Sequence, residues 1–396
     1  MVIDTLPTRE LIILHPALEI RNNLATVGFR HKVVKNHNIQ DETIHFISTD
    51  GGIRVETSDD IKLSQGRAIF EDKFLPTNTV DIQGLVQWAG NPQPPDSQWL
   101  YKEVKDTFRH YIELPEPAYG LIAAWVMGTY FNRAFPCYPY LAFLGPKETG
   151  KSNTLECLQN LFFNAIKTRL SYAALGDTAE SLRGTIIIDQ AHGLGDELRE
   201  ILVDSYKKGG GKRRIIDLSS KGRKVLEFDC YCPKVFASLE PLPDDLADRT
   251  FTINMAPASR VYPSPTASTR SWIQTRTALV ELMLTAYKEV AELIEEMSES
   301  EGYRFGELWL PIGVILALVR ADQEEVAEIH SYCERQFAQV RYELSGWDYE
   351  LVSSVLHWED AEISSEDLLT DLQLRIDDDL IPNLVLFTFQ NIIIEL

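Results

Sequence analysis

Tyr140-Leu141-Ala142-Phe143-Leu144-Gly145-Pro146-Lys147-Glu148-Thr149-Gly150-Lys151-Ser152 is the stretch on which the reading of this chain turns. Five apolar residues of strand type run into a complete G-x-x-x-x-G-K-[ST] loop. Asn153 to Ile166 then carries Leu155, Leu158, Leu161, Phe162 and Ile166 at helical spacing. The glycines let backbone N–H groups approach an anion without a Cβ in the way, and the helix start adds partial positive charge. All eight residues from Gly145 to Ser152 are therefore expected to cradle phosphates. Lys151 is placed for the β- and γ-phosphates and the Ser152 hydroxyl for Mg²⁺. ATP is the expected nucleotide. A chance glycine-rich turn is the competing explanation, and the strand–loop–helix context weighs against it.

Such a site needs a carboxylate on a neighbouring strand to steady the metal. Thr185-Ile186-Ile187-Ile188-Asp189 offers one, with Asp189 38 residues after Lys151. The plainer alternative is a strand-end Asp capping a turn. Gln190 follows, and its amide can orient a water but cannot take its proton. Phosphoryl transfer depends more on positioning and charge than on base catalysis, so Gln190 implies slow turnover or a switch that stays loaded. His192 reads as an exposed residue near the next helix start.

Eight basic residues (Lys207, Lys208, Lys212, Arg213, Arg214, Lys221, Arg223 and Lys224) fall within eighteen positions, against one acid, Asp217. The three glycines 209–211 are expected to make this loop mobile, and Arg214-Ile215-Ile216 suits a hairpin. Contact with a DNA or RNA backbone is one reading. A solvated loop, or one docking an acidic face of a neighbouring subunit, is the other. Arg249, after Pro243-Asp244-Asp245-Leu246-Ala247-Asp248, is either a γ-phosphate contact for an adjacent subunit or an ion-pair partner of Asp245 or Asp248.

Outward from this centre, the order from Tyr138 to about Met255 is strand, loop, helix, strand, helix, strand, helix, basic loop, strand. That alternation predicts a three-layer α/β core, residues 136–258. Residues 1–95 are expected to be β-rich, with short runs at His31–Val34 and Thr43–Ile47 and a turn at Asp50-Gly51-Gly52. Asn91-Pro92-Gln93-Pro94-Pro95 is expected to be a linker, followed by a helical lead-in over 96–135. Apolar residues at helical spacing in 278–297 and 321–344 predict a helical lid over 259–345. Residues 346–396 are expected to form a small unit, with winged-helix as its candidate form and a helix start at Ser364-Ser365-Glu366-Asp367.

The 396 residues are 44% hydrophobic and 24% charged, which places the chain among globular proteins of more than one domain. With 38 Lys+Arg against 59 Asp+Glu, the formal charge of −21 repels a phosphate backbone at long range, so any nucleic-acid contact must be local. Five scattered cysteines, with only Cys230 and Cys232 near one another, fit reduced thiols better than a metal cage or a disulfide framework. No basic leader precedes an apolar run, and the apolar stretch Tyr119–Phe131 is too short to span a membrane. A soluble, cytoplasmic protein is expected.

Taken together, the lead-in to Pro139-Tyr140-Leu141, the loop 145–152, Ile188-Asp189-Gln190-Ala191-His192, Ser205-Tyr206-Lys207-Lys208-Gly209-Gly210 and Leu246-Ala247-Asp248-Arg249 resemble the AAA+ helicase-like ATPase domains of phage and mobile-element replication proteins. The likeness covers roughly Tyr101 to Met255. It implies a P-loop NTPase fold of AAA+ type and an oligomer, with a hexameric ring as one form, acting on DNA. It also implies Arg249 as an arginine finger in trans, Ser238 at a sensor position and the basic loop facing a pore. Two departures, Gln190 for Glu and the net acidity, count against processive unwinding. A non-motor ATP switch and a small-molecule kinase are the other classes weighed; no arginine-rich lid supports the last. No primase-type carboxylate cluster is evident in residues 1–95.

Overall fold

The computed structural model describes residues 11–341, except 22, 36–37, 64–65, 72–79, 169–170, 192, 218–223, 266–269 and 299–303. The expectations for His192, Lys221, Arg223, and residues 346–396 with their helix start at Ser364 lie outside the described residues, as does the Lys224 side chain. The chain divides into two compact units, Met1–Phe337 and Ala338–Leu396, and every contact below lies in the first.

Seven strands open the chain: β1 (Leu11–Leu14), β2 (Leu18–Arg21), β3 (Leu24–Lys35), β4 (Asn38–Thr49), β5 (Gly52–Glu56), β6 (Asp60–Leu63) and β7 (Gly66–Phe70). They form an antiparallel sheet β2-β3-β4-β5 and a smaller sheet β1-β7-β6. β3 and β4 are 12 residues each, far longer than the short runs legible in sequence. The reason lies in β4, where residues 38–41 are solvent-exposed and, apart from Ile39, polar, and only 44–48 are buried. The Asp50–Gly51 turn pairs Thr49 with Gly52. Among the described residues the last of these strands ends at Phe70, and the helix α1 (Ile82–Ala89) follows, capped by the Asp81 carboxylate on Gly84 N–H at 2.9 Å.

The Asn91–Pro95 segment joins α1 to α2 (Ser97–Tyr111), and α3 (Glu116–Thr129) leads to the core. There the order is β8 (Tyr140–Leu144), α4 (Lys151–Leu161), β9 (Ile166–Lys167), α5 (Tyr172–Leu182), β10 (Ile186–Asp189) and α6 (Asp196–Asp204). The hairpin β11 (Lys212–Asp217) and β12 (Lys224–Asp229) is followed by β13 (Lys234–Ser238), α7 (Asp244–Ala247) and β14 (Thr250–Asn254). β8, β9, β10, β13 and β14 make one five-stranded parallel sheet in the order β14-β8-β13-β10-β9. Their near-continuous apolar sequences suit strands covered on both faces, and residues 140–143, 186–188 and 234–238 are buried. Each large side chain so buried contributes about 1.5–3 kcal/mol.

The helices α8 (Arg270–Ser298), α9 (Arg304–Leu318) and α10 (Gln323–Arg341) follow, with α9 packed on both α3 and α8. Among the described residues no helix is long and apolar enough to cross a membrane.

Candidate functional site

Strand order positions the site. β8 sits between β14 and β13, while the chain leaving its carboxyl end crosses to the far edge at β9. Open parallel sheets hold a crevice outside the carboxyl ends of the strands where connections diverge in this way. A cavity of about 430 Å³ lies there, lined by residues 147–153 of the loop and first turn of α4, Asp189 and Gln190 at the end of β10, and 237–239 at the end of β13.

The loop is shaped by close approach. A Cβ at Gly145 would fall 2.5 Å from the Met255 carbonyl oxygen, so β14 and the loop fit only around glycine. Gly150, at φ +85°, turns the chain into α4 as its N-cap. The buried Thr149 donates its hydroxyl to Pro146 O at 3.0 Å, tying the loop across its neck. Glu148 holds a left-handed φ of +66°, which costs a residue with a Cβ about 1 kcal/mol. The Lys151 ammonium, first in α4, donates to the Gly145 and Pro146 carbonyls, both at 2.5 Å, and to Thr149 Oγ1 at 3.3 Å. Partial burial pulls its pKa below the usual lysine value, while the Asp189 charge acts in the other direction.

Asp189 ends β10 and pairs with Lys167 on the edge strand β9, Nζ to Oδ2 2.8 Å. Gln190, exposed and at φ +60°, turns away from the strand, and Ala191 N–H returns to Ala237 O at 2.9 Å. Ser238 is buried opposite Leu144, accepts from Glu240 N–H at 3.2 Å and offers its carbonyl to Gly145 N–H at 3.3 Å.

These residues fit a polyphosphate with a hard divalent cation. Loop residues 147–152 line the cavity, Lys151 supplies a positive charge, and Ser152 and Asp189, with a hydroxyl and a carboxylate, line the same cavity. Two protein oxygens suit Mg²⁺, which takes its remaining ligands from water and phosphate. No cluster of three or more His, Cys, Asp or Glu that could cage a metal is found among the described residues.

The other sequence-predicted residues are not brought to this cavity. Arg249 sits just before β14, at the amino end of the sheet, and its carbonyl accepts from Tyr140 N–H at 2.9 Å. The five-residue strand that follows separates it from the cavity edge by about 16 Å. Its guanidinium donates to Val203 O at 2.7 Å and to Asp245 O, lies 3.6 Å from the Asp248 carboxylate, and is 15% exposed. The Asp245 carboxylate is taken by Arg199, Nε to both oxygens at 2.8 Å.

The basic run divides. Lys207 and Lys208 lie before the hairpin, against the strand lead-in: Lys207 pairs with Glu307 of α9 at 2.8 Å, and Lys208 donates to the Arg133 carbonyl. Lys212 and Arg214 share one face of β11 and one carboxylate, Glu227, at 2.6 and 2.8 Å. Those two hydrogen bonds hold Glu227 below the usual carboxylate range. Arg213 points to the other face, 5.5 Å over the Tyr172 ring of α5. Glycines 209–211 do not form a mobile tip. They lie at the hairpin root, where a Cβ at Gly210 would meet Asp204 O at 2.3 Å. Close packing against the end of α6 explains Gly210 and Gly211, while Gly209 stands in open space at φ +73° and serves the turn.

The sequence reading passed over Lys167. β9 is two residues long, too short for any periodic signal, so only pairing with β10 reveals where it points.

No family model and no curated protein matches the chain. Among solved structures it is similar to "SCCmec type IV Cch - active helicase", at 13% identity and TM-score 0.41, over 89% of this chain and 64% of that one. It thus spans less than two thirds of that helicase. It is also similar to the NrS-1 C-terminal region in its A-form apo structure, at 11% identity and TM-score 0.33, over 89% and 80% of the two chains. A shorter piece of that region, residues 305–718, aligns at 10% identity and TM-score 0.31, over 74% and 89%. All three likenesses are remote, and the functional reading rests on the chain's own residues.

Proposed function

We propose that this chain is a Mg²⁺-dependent ATPase of AAA+ type that acts on DNA, as an oligomeric motor or remodeller of helicase type. The supporting observation is the convergence of the loop amides, Lys151, Ser152 and Asp189 on one cavity at the carboxyl edge of a parallel sheet. In this reading residues 145–152 cradle the phosphates and Lys151 offsets charge on the β- and γ-phosphates. Ser152 and Asp189 hold the metal, which when bound neutralises charge on the transferred phosphoryl group. Gln190 orients water through its amide. Residues 136–258 are the ATPase core, 96–135 its lead-in, 259–345 the lid, and 1–95 and 346–396 flanking units.

A guanidinium at the amino end of the sheet cannot reach its own chain's cavity. Arg249 therefore acts on the nucleotide of a neighbouring subunit, and a ring is the arrangement that supplies one. The hairpin is the nucleic-acid contact through Lys212, Arg213 and Arg214, joined by Lys221, Arg223 and Lys224. RNA offers the same phosphates and is the alternative polymer. Lys207 and Lys208, tied to Glu307 and Arg133, serve the hairpin root. DNA-stimulated ATP hydrolysis that disappears in Lys151→Ala tests this function; turnover indifferent to that change would refute it.

Gln190 favours a second reading, an ATP-dependent assembly or recruitment switch with little hydrolysis. ATP-driven oligomerisation without turnover, together with turnover that rises in Gln190→Glu, would select it over the motor.

A further inference from the structure

The carboxylate to which the metal role falls is already ion-paired to this chain. Lys167 Nζ lies 2.8 Å from Asp189 Oδ2, and the two side chains are similarly exposed, 36% and 38%. Backbone geometry builds the contact. Lys167 stands opposite Ile187 across the parallel pair β9–β10, and Asp189 is two residues on, so both project from one face of the sheet. Thr168 N–H to Ile187 O at 3.0 Å and Ile166 N–H to Thr185 O at 2.9 Å lock that register. The lysine stem therefore starts from a fixed point within reach of the acid.

We infer that Lys167 is an internal counter-cation that competes with the divalent metal for Asp189, so that nucleotide loading exchanges one cation for another at this carboxylate. The inference rests on the nucleotide reading above and deepens it. A carboxylate oxygen held by an ammonium offers less negative charge to a second cation. Should both cations stay, they repel within a few ångströms; should the lysine leave, the pair's energy is lost. Either way Lys167 raises the metal concentration that nucleotide binding requires. Lysine suits this task, being a point charge on a flexible stem that can release a carboxylate without moving the strand. Lys151 behaves alike, its ammonium satisfied by the carbonyls of Gly145 and Pro146. Lys151 and Lys167 are thus both held by partners of their own chain until a polyphosphate and its metal displace them.

The test titrates Mg²⁺ into the full 396-residue chain with a fluorescent ATP analogue at fixed concentration, and reads the Mg²⁺ concentration at half-maximal binding. Lys167→Met should lower that midpoint roughly fivefold, as expected for losing a partly exposed pair plus its repulsion of a divalent ion. Lys167→Arg, which keeps the charge, should leave it within about twofold of wild type. Lys167→Gln serves in place of the methionine variant if circular dichroism shows the latter unfolded. A neutral variant whose midpoint is unchanged or raised overturns the inference, because Lys167 would then only position Asp189. Analogue uptake with no shift in midpoint sinks this inference alone. No uptake by wild type at any Mg²⁺ concentration sinks the nucleotide reading as well.

Discussion

Glu148 shows how much a single backbone angle can carry. It sits in the phosphate loop at φ +66°, a conformation glycine adopts without steric cost, and it adds a negative charge to the rim of a cavity read as a polyphosphate site. Glu148→Gly should stabilise the fold by at most about 0.5 kcal/mol, since relief of about 1 kcal/mol of left-handed strain is offset in part by the roughly 0.5–1 kcal/mol of entropy that glycine loses on folding. It should also tighten nucleotide binding by removing the like charge. Urea unfolding and nucleotide titration check the two effects separately; a destabilised variant would mean that the Glu148 side chain makes a contact worth more than its strain. Gln190 is the second left-handed non-glycine residue at the cavity, at φ +60°. Both were legible as identities within a motif, but their conformations were not, because nothing in the local sequence demands a positive φ at a non-glycine position.

The hairpin is the element on which the nucleic-acid proposal stands. Glu227 neutralises one charge of the Lys212–Arg214 pair and Arg213 stacks near Tyr172, so net positive charge remains on β11. Replacing Lys212, Arg213 and Arg214 together with alanine should weaken DNA binding and lower the slope of log affinity against log salt by about 2 to 3 units. Fluorescence anisotropy at several salt concentrations measures both quantities. An unchanged slope would return the hairpin to the status of a solvated ribbon. The hairpin itself was readable from alternation near Arg214-Ile215-Ile216. Its root was misread because glycines signal either freedom or tight packing, and only the neighbouring Asp204 carbonyl distinguishes the two. α9 was passed over for a different reason: Leu308 to Leu316 is buried on every side, so no 3.6-residue stripe marks it as a helix.

At the scale of the whole molecule, a buried ion pair fastens the N-terminal sheet to the parallel-sheet core. Arg183, the C-cap of α5, donates to the Glu19 carboxylate of β2 at 2.6 Å and to Leu18 O at 3.3 Å, and the two side chains are 16% and 13% exposed. Burial alone would raise the Glu19 pKa, but the charges of Arg183, Arg21 and Arg133 outweigh it and hold the group below its ordinary value. Because the folded pKa is the lower one, the stabilisation is present above the ordinary glutamate pKa of about 4.3. It is lost as pH falls toward and through the folded value. Glu19→Ala should cost about 3 kcal/mol at pH 7, leaving a buried guanidinium unpaired, and less near pH 3, as read by denaturant melts at the two pH values. Equal losses at both would contradict the charge account. Arg249→Ala should spare nucleotide binding and depress turnover only in the assembled oligomer, measured by ATP hydrolysis across protein concentration. A variant that unfolds instead would show that its bonds to Val203 and Asp245 are structural. The α/β alternation of the core was legible because each segment carries its own period. The insertion of β13 between β8 and β10, the local ties of Arg249 and the Lys167–Asp189 pair were not, since each depends on residues far apart in the chain meeting across strands.

Calorimetric titration of MgATP into the wild-type chain and into Lys151→Ala tests the central claim most directly. The account predicts saturable one-site binding to the wild type and its loss in a variant that remains folded. Absence of binding to folded wild type, or identical binding by both proteins, would contradict it.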